Sequence, residues 1–121
     1  MELNNGIETY YPRTKAHWRK WLEKNSQSKT EVCLILYHKK SPVPGISYDE
    51  ALEEALCFGW IDSMRNKRDH ESYYQRFSPR KTRSNWSDRN KKIVGRLIRE
   101  KRMKSGGLQM VEEAKVKGTW D

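Results

Sequence analysis

Six consecutive apolar residues, from Val32 to Tyr37, constrain the fold of this chain more than any other feature of its sequence. Successive side chains of a strand point to opposite faces of a sheet, so an unbroken apolar run predicts a strand that is buried on both faces. We therefore expect a central strand over residues 31–40. Residues 41–45 contain two prolines and a glycine, which end the hydrogen-bonded ladder.

The clearest helix signal lies over residues 47–58. Ser47 and Glu50 have the spacing of a capping box, in which each side chain satisfies a backbone N–H group at the helix start. Gly59 suits the left-handed position that often ends a helix. Carboxylates in the first turn also complement the positive end of the helix dipole. The acidic run over residues 46–62 is therefore interpreted as structural and not as a carboxylate site.

Apolar spacing and turn residues predict the remaining elements. Three further helices are predicted, over residues 14–25, from Ser84 or Ser87 to about residue 101, and over residues 105–118. Two further strands are predicted over residues 60–67 and 72–78. The order α-β-α-β-β-α-α predicts an α+β fold. We expect a small, mainly antiparallel sheet of about three strands packed with four helices.

Length and composition favour a single domain over residues 1–121, with residues 1–12 as a flexible N-terminal tail. The tail has no basic start and no apolar stretch, so it is not expected to be a signal peptide. No apolar run is long enough to span a membrane. Cys33 and Cys57 have neither metal-ligand nor disulfide spacing, so we expect free thiols, no metal, no cofactor and a cytoplasmic location.

Positive charge is concentrated in one part of the chain, residues 63–104, which carry 15 basic and 4 acidic residues. An anionic partner should meet this segment. The alternative is a solvated basic surface that only keeps the protein soluble.

A candidate anion site lies where the second strand of the hairpin passes into the following helix. Arginine offers planar donors for phosphate or carboxylate, and a helix N-terminus favours an anion. The residues predicted to bind the anion are Arg76, Arg80, Arg83, Ser84, Asn85 and Ser87, and those predicted at its rim are Trp60, Asp62, Tyr74 and Trp86. Asp62 could orient Arg76 across the hairpin. The alternative is that the serines and Asn85 only cap the helix, while the arginines face water or pair with carboxylates.

Nucleic-acid binding and catalysis are the two alternatives to anion binding. Aromatic residues between the arginines could stack nucleic-acid bases, although aromatic residues at this density are more often core. Cys57 is the one nucleophile worth considering, but the carboxylates of Glu53 and Glu54 would raise a thiol pKa. No catalytic motif is present, so an enzyme is not expected.

Several spaced motifs resemble the YdeI/OmpD-associated family, also called bacteriocin-protection proteins. They are residues 48–51, 54–62, 75–80, 84–87, 107–108 and 118–121. The resemblance implies a bacterial cytoplasmic protein connected with bacteriocin or envelope-stress tolerance, and it implies no established reaction. Many members continue into a further C-terminal helical segment, whereas this chain stops at Asp121, which is expected either of a short member or of a truncated chain.

Together these observations predict a non-enzymatic binding domain for an anionic ligand or partner, either a small molecule or an acidic protein surface. The alternative is a nucleic-acid-binding module that uses residues 63–104. The sequence gives no indication of oligomeric state.

Overall fold

The helices and strands follow one another as the sequence predicts, with two additional strands at the N-terminus. The structure is a computed structural model that describes residues 2–81 and 84–120. Its elements are β1 (Leu3–Asn4), β2 (Ile7–Tyr10), α1 (Lys15–Asn25), β3 (Val32–Tyr37), α2 (Tyr48–Cys57), β4 (Trp60–Lys67), β5 (Ser72–Pro79), α3 (Asp88–Arg99) and α4 (Ser105–Lys117).

The sheet is mixed and has five strands in the order β1-β2-β3-β5-β4. Strands β2 and β3 are parallel, and the other neighbouring pairs are antiparallel. The prediction of an α+β fold with four helices agrees with this structure, but the prediction of about three mainly antiparallel strands is wrong. The parallel pair arises because α1 carries the chain from the end of β2 back to the start of β3, as a crossover helix does.

The additional strands come from residues 1–12, which the sequence predicts as a flexible tail. Asn5 and Gly6 both have positive φ angles, 51° and 78°, and join β1 to β2. This two-residue Asn-Gly turn matches the right-handed twist of paired strands. The N-terminal segment is therefore part of the sheet rather than a tail.

The N-terminal caps of the first three helices agree with the sequence pattern, whereas α4 follows Lys104 without a side-chain cap and Ser105 does not cap it. Thr14 accepts a hydrogen bond from the backbone of His17 at the start of α1, and Ser47 and Glu50 form a complete capping box at the start of α2. Ser87 caps α3. None of the helices within residues 2–81 and 84–120 is long and apolar enough to cross a membrane.

The main core lies between one face of the sheet and the helices. Val32, Leu34 and Leu36 of β3 point to this inner face, together with their cross-strand neighbour Phe77. Large side chains from the helices fill the space against them, including Trp18, Trp21, Leu22, Leu52 and Leu97. The outer face of β3 carries Cys33 and Ile35, which are also buried. β3 is therefore the central strand, as its sequence predicts.

Candidate functional site

The predicted anion-binding residues do not converge on one site. Arg76 lies on β5 opposite Cys33, so its side chain points to the outer face of the sheet. Its Nε and Nη2 atoms donate to Oε1 of Glu31 over 3.1 and 2.9 Å, and its Nη1 atom donates to Oγ of Ser63 over 3.0 Å. Glu31 therefore balances the charge of Arg76, and the expected pairing of Arg76 with Asp62 is wrong.

Arg80 is buried, and its guanidinium is bound by the protein itself. Its Nη2 atom donates to the backbone carbonyls of Ser84 and Asn85 over 3.0 and 2.8 Å. Its Cζ atom lies 4.1 Å from the centre of the Trp86 ring. Burial lowers the pKa of Arg80. Arg80 thus stabilises the loop before α3, and its burial leaves it little accessible to a ligand.

The other predicted residues are likewise dispersed. Ser84 and Asn85 are exposed, and Oγ of Ser87 accepts from the backbone N–H of Asn90 over 3.1 Å. Arg83 lies outside the described residues. The predicted rim residues Trp60, Asp62, Tyr74 and Trp86 occupy different environments. Trp60 and Trp86 are buried, Tyr74 donates to Glu2, and Asp62 accepts from Tyr48.

Most arginines that the structure describes in the basic segment 63–104 are paired with carboxylates. Arg102 contacts Glu54 over 2.5 Å, and Arg96 contacts Glu53 over 2.7 Å. The remaining pairs of this segment are Arg68 with Glu2 and Asp69, Arg76 with Glu31, and Arg89 with Asp49. Much of the positive charge of residues 63–104 is therefore balanced by carboxylates within the fold.

Arg65 differs from these residues because it lines a groove and no carboxylate of residues 2–81 and 84–120 forms an ion pair with it. A bulge in β4 determines its direction. Asp62 pairs with Phe77 and Arg65 pairs with Gln75, so Ser63 and Met64 together oppose one residue of β5. Such a bulge shifts the alternation of side chains by one position. Arg65 and Lys67 consequently point to the inner face of the sheet, where a regular strand would place Met64 and Asn66.

Two aromatic rings hold the guanidinium of Arg65 at the wall of the groove. Its Cζ atom lies 4.4 Å from the ring centre of Tyr73 and 5.4 Å from that of Tyr48. Its Nε atom donates to Oε1 of the buried Gln75 over 3.3 Å. Among the described residues, no carboxylate forms an ion pair with Arg65. Its remaining N–H groups are available to an anion.

Tyr48 is itself fixed in position by a second contact. Its hydroxyl donates to Oδ2 of Asp62 over 2.5 Å. Burial, together with this hydrogen bond to a carboxylate, raises the pKa of Tyr48 to about 12. The hydrogen bond to Asp62 thus fixes the Tyr48 ring beside Arg65.

The groove beside Arg65 has a volume of about 640 Å³. It lies between the loop of residues 38–47, the first turn of α2, and Arg65 and Tyr73 on the sheet. A second cavity of about 580 Å³ shares His38, Arg65 and Tyr73 with the first. We call the two together the Arg65 groove, with a loop lobe next to residues 38–47 and a turn lobe next to the β4–β5 turn.

The charges that line the Arg65 groove are unbalanced in favour of cations. Lys39, Arg65 and Lys67 line it together with the carboxylates of Glu50 and Asp69. Glu50 accepts from the backbone of the helix cap, and Asp69 forms an ion pair with Arg68 and accepts from Ser72. Both carboxylates also make contacts outside the groove, and the three cations outnumber them by one formal charge.

The reactive residues that the sequence suggests lie away from this groove. Cys33 and Cys57 are both free and buried, as expected. Burial raises the pKa of each thiol, which disfavours the nucleophilic thiolate. Within the described residues, no cluster of His, Cys, Asp and Glu is arranged to hold a metal ion.

Sequence reasoning places Arg65 in the basic segment but does not single it out. A strand read with strict alternation puts Trp60, Asp62 and Met64 on one face, and Arg65 on the other. The bulge reverses this assignment, and its hydrogen bonds come from Gln75 on the neighbouring strand. The sequence of β4 contains no local signal of the bulge, because the apolar Met64 would also fit the apolar face of a regular strand.

The sheet, the helices and the groove define an α+β domain with a groove that is lined by Arg65 and aromatic rings. A family model described as a domain of unknown function, DUF8412, matches residues 10–110. The chain belongs to this family. No curated protein and no solved structure matches it.

The resemblance to the YdeI/OmpD-associated family is therefore wrong, and the bacteriocin and stress-tolerance roles that it implied fall with it. The motifs behind the resemblance serve local structure in this fold. Residues 47–50 cap α2, and Gly59 ends that helix with a φ angle of 79°. Signals of this kind recur wherever a helix must start or stop, so they do not specify a family.

Proposed function

We propose that this chain is a non-enzymatic binding domain for an anionic ligand, and that the ligand binds in the Arg65 groove. One observation carries the proposal. Arg65 is held between Tyr48 and Tyr73 at the wall of a groove of about 640 Å³, without a carboxylate partner among the described residues.

Physical chemistry favours an anion at this position. A guanidinium that is positioned in advance by aromatic rings loses little conformational entropy when it binds a phosphate or carboxylate. Ser47 and Tyr48, at the first turn of α2, also line the groove. The positive end of the helix dipole adds to the attraction. Lys39 and Lys67 contribute further positive charge without holding a ligand rigidly.

Binding is favoured over catalysis by the kind of residues in the groove. The groove offers a cation and aromatic rings to an anion, and although His38, His70, Glu50 and Asp69 also line it, the two thiols are buried elsewhere. The free cysteines also support a cytoplasmic location, which stays a prediction.

Nucleic-acid binding through residues 63–104 has less support. Phosphate backbones are bound by several accessible cations at once. Among the described arginines of this segment, Arg68, Arg76, Arg89, Arg96 and Arg102 are paired with carboxylates. A small anionic ligand at Arg65 needs none of them.

The experiment is a thermal unfolding series with increasing pyrophosphate at constant ionic strength. The Tm of the parent should rise with ligand concentration, because a ligand that binds only the folded state stabilises it. Arg65→Ala should lose most of this rise. Arg99→Ala removes the same charge from an exposed position at the end of α3 and should keep it.

Two results would overturn the proposal. If Arg65→Ala responds to pyrophosphate as strongly as the parent, the ligand does not bind at the groove. If neither the parent nor Arg99→Ala responds, the groove does not bind anions, and Arg65 only discourages other chains from pairing with the edge strand β4.

A further inference from the structure

The two lobes of the Arg65 groove differ in the chemistry of their walls. The exposed surface of the turn lobe is mainly apolar, and the residues that line it include His38, His70 and Tyr73. The exposed surface of the loop lobe is about half polar. Arg65 lines both lobes and therefore lies where they meet. A ligand that fills the groove must present an anion to Arg65, an apolar group to the turn lobe and a polar group to the loop lobe.

Among the described residues that line the groove, Arg65 carries the one charge without a counterpart. Lys39 and Glu50 line the loop lobe, and Lys67 and Asp69 line the turn lobe. Each lobe thus has one cation and one carboxylate besides Arg65, and their charges cancel when the histidines are neutral. A ligand with a single negative charge, such as a carboxylate, therefore balances the groove.

The apolar group of such a ligand must lie close to its anion. The Cζ atom of Arg65 lies 4.4 Å from the ring centre of Tyr73, and the ring of the exposed His38 lies 5.2 Å from the same ring, centre to centre. The guanidinium and the two rings are thus contiguous. An apolar group attached next to the anion can contact the rings while Arg65 holds the anion. Its burial adds hydrophobic stabilisation to the charge-assisted hydrogen bonds.

The backbone of the loop lobe indicates the polar group. Ile46 is 4% exposed and lines this lobe. Within residues 2–81 and 84–120, neither its backbone N–H nor its C=O forms a hydrogen bond, and the same holds for the exposed Gly45. Backbone polar groups of buried residues are nearly always paired. A peptide group in the loop lobe would offer them both a donor and an acceptor.

Contacts to other parts of the fold hold the loop lobe in place. The hydroxyl of Tyr11 donates to the backbone carbonyl of Pro44, and the Tyr11 ring packs edge-on against Tyr37 with 5.4 Å between the centres. The backbone N–H of His38 donates to the carbonyl of Glu71 over 2.9 Å, which ties the loop to the β4–β5 turn. Because these contacts are formed without a ligand, binding orders little of the protein and costs less entropy.

The C-terminal residue of a peptide carries all three groups on one carbon atom. Its carboxylate, its side chain and its amide nitrogen are bonded to the same Cα atom, so one residue can reach Arg65 and both lobes. The Nη atoms of Arg65 can donate to both oxygens of the carboxylate. Capture of a C-terminal carboxylate is a recurring mode of peptide recognition. An inorganic anion would contact Arg65 and leave the apolar wall of the turn lobe in water.

We infer that the anionic partner of the proposed function is the C-terminus of a peptide chain whose last residue has an apolar side chain. The carboxylate binds Arg65, and the last side chain lies in the turn lobe against His38 and Tyr73. The preceding peptide group lies in the loop lobe beside Ile46. The inference rests on the proposed function and adds the chemistry of the partner.

The test is calorimetric titration of the parent with three pentapeptides at one ionic strength. The first consists of glycine and serine and ends in phenylalanine with a free carboxylate, the second is its C-terminal amide, and the third ends in glycine instead. The first should bind about tenfold or more tightly than each of the others, which corresponds to about 1.4 kcal/mol. This comparison uses the parent alone and needs no variant that must fold.

Two variants locate the groups of the peptide. Arg65→Ala should weaken binding of the phenylalanine-ended peptide about tenfold or more, whereas Arg99→Ala, at an exposed position of α3, should not change it. His38→Ala removes a ring next to the turn lobe, so it should weaken the phenylalanine-ended peptide and leave the glycine-ended peptide unchanged. His17→Ala, at an exposed position of α1, is the control and should weaken neither.

Titration with pyrophosphate separates the inference from the proposed function. If pyrophosphate binds through Arg65 and the three pentapeptides bind equally, anion binding stands and the peptide inference is overturned. If N-acetylphenylalanine binds as tightly as the phenylalanine-ended pentapeptide, the ligand is a small aromatic acid, and the inference is likewise overturned. A peptide whose affinity is unchanged by Arg65→Ala binds elsewhere, which also overturns the inference. If neither pyrophosphate nor any peptide binds, both proposals are overturned.

Discussion

The Nε atom of Arg65 donates to Oε1 of Gln75, which lies directly opposite it on β5, over 3.3 Å. The amide nitrogen of the same Gln75 is within 3.3 Å of the carbonyls of Ser63 and Met64, the two residues of the bulge. One buried side chain thus stabilises the bulge and orients the cation that the bulge turns inward. The geometry of the candidate site therefore depends on a residue that does not line it.

Gln75→Leu should lower the free energy of unfolding by about 0.5–1.5 kcal/mol, because it removes the hydrogen bonds from the Gln75 amide to the carbonyls of Ser63 and Met64. Urea unfolding of parent and variant measures this difference. Gln109→Leu, at an exposed position on α4, is the matched control and should change stability by less than about 0.5 kcal/mol. Equal effects of the two substitutions would show that Gln75 does not hold the bulge.

Gly107 in the first turn of α4 should not tolerate a side chain. A Cβ atom built on it lies 2.4 Å from the carbonyl oxygen of Cys57, which is backbone and cannot swing away. Gly107→Ala should cost about 1–3 kcal/mol or more through overpacking.

Gly95 in α3 is the matched control, since the nearest atom to its Cβ is the flexible end of Arg99 at 3.6 Å. Gly95→Ala should raise the free energy of unfolding by up to about 1 kcal/mol through helix propensity. Guanidinium chloride unfolding of both variants checks the pair. A stable Gly107→Ala would contradict the close packing of α4 on the end of α2.

The ion pair of Glu2 with Arg68 predicts a dependence of stability on pH. Hydrogen bonds from Arg68 and Tyr74 lower the pKa of Glu2 from 4.5 to about 2. A carboxyl group whose pKa is lower in the folded state than in the unfolded state stabilises the fold at pH values above its unfolded-state pKa. This contribution is lost as the pH falls through the folded pKa.

Glu2→Gln should therefore be less stable than the parent above about pH 4.5, and the two should converge as the pH approaches 2. Because the Glu2 side chain is 38% exposed, solvent screening keeps the difference below about 1 kcal/mol. Urea unfolding at several pH values measures it. Glu23→Gln, exposed on α1, is the control, and a Glu2→Gln difference that stays constant with pH would contradict the pairing.

The parts of the fold that depend on residues close together in the sequence were predictable. The capping box at Ser47 and Glu50 and the strands on either side of residues 68–71 need only short-range information. The Asn5-Gly6 turn is an equally local signal, and it would have predicted the β1–β2 hairpin. Its strands are so short that their apolar pattern alone does not reveal them.

The candidate site could not be predicted in the same way, because its contacts join distant parts of the chain. Whether an arginine is free depends on carboxylates such as Glu2, which pairs with Arg68 66 positions later. The direction of Arg65 depends on a bulge that Gln75 supports from another strand. Composition therefore predicts an excess of positive charge, but only the fold determines which cation is left for a ligand.

The most direct test of the account is a nitrogen–proton NMR titration of the labelled protein with pyrophosphate. If pyrophosphate binds in the Arg65 groove, the chemical shift of the Arg65 Nε–H group should change, together with those of the backbone amides of residues 38–48 and 65–73. The chemical shifts of Arg80 should not change. Shifts centred on residues 76–87 would instead show that the anion binds at the site predicted from the sequence, and this would contradict binding at Arg65. No shifts at saturating pyrophosphate would contradict anion binding at the Arg65 groove altogether.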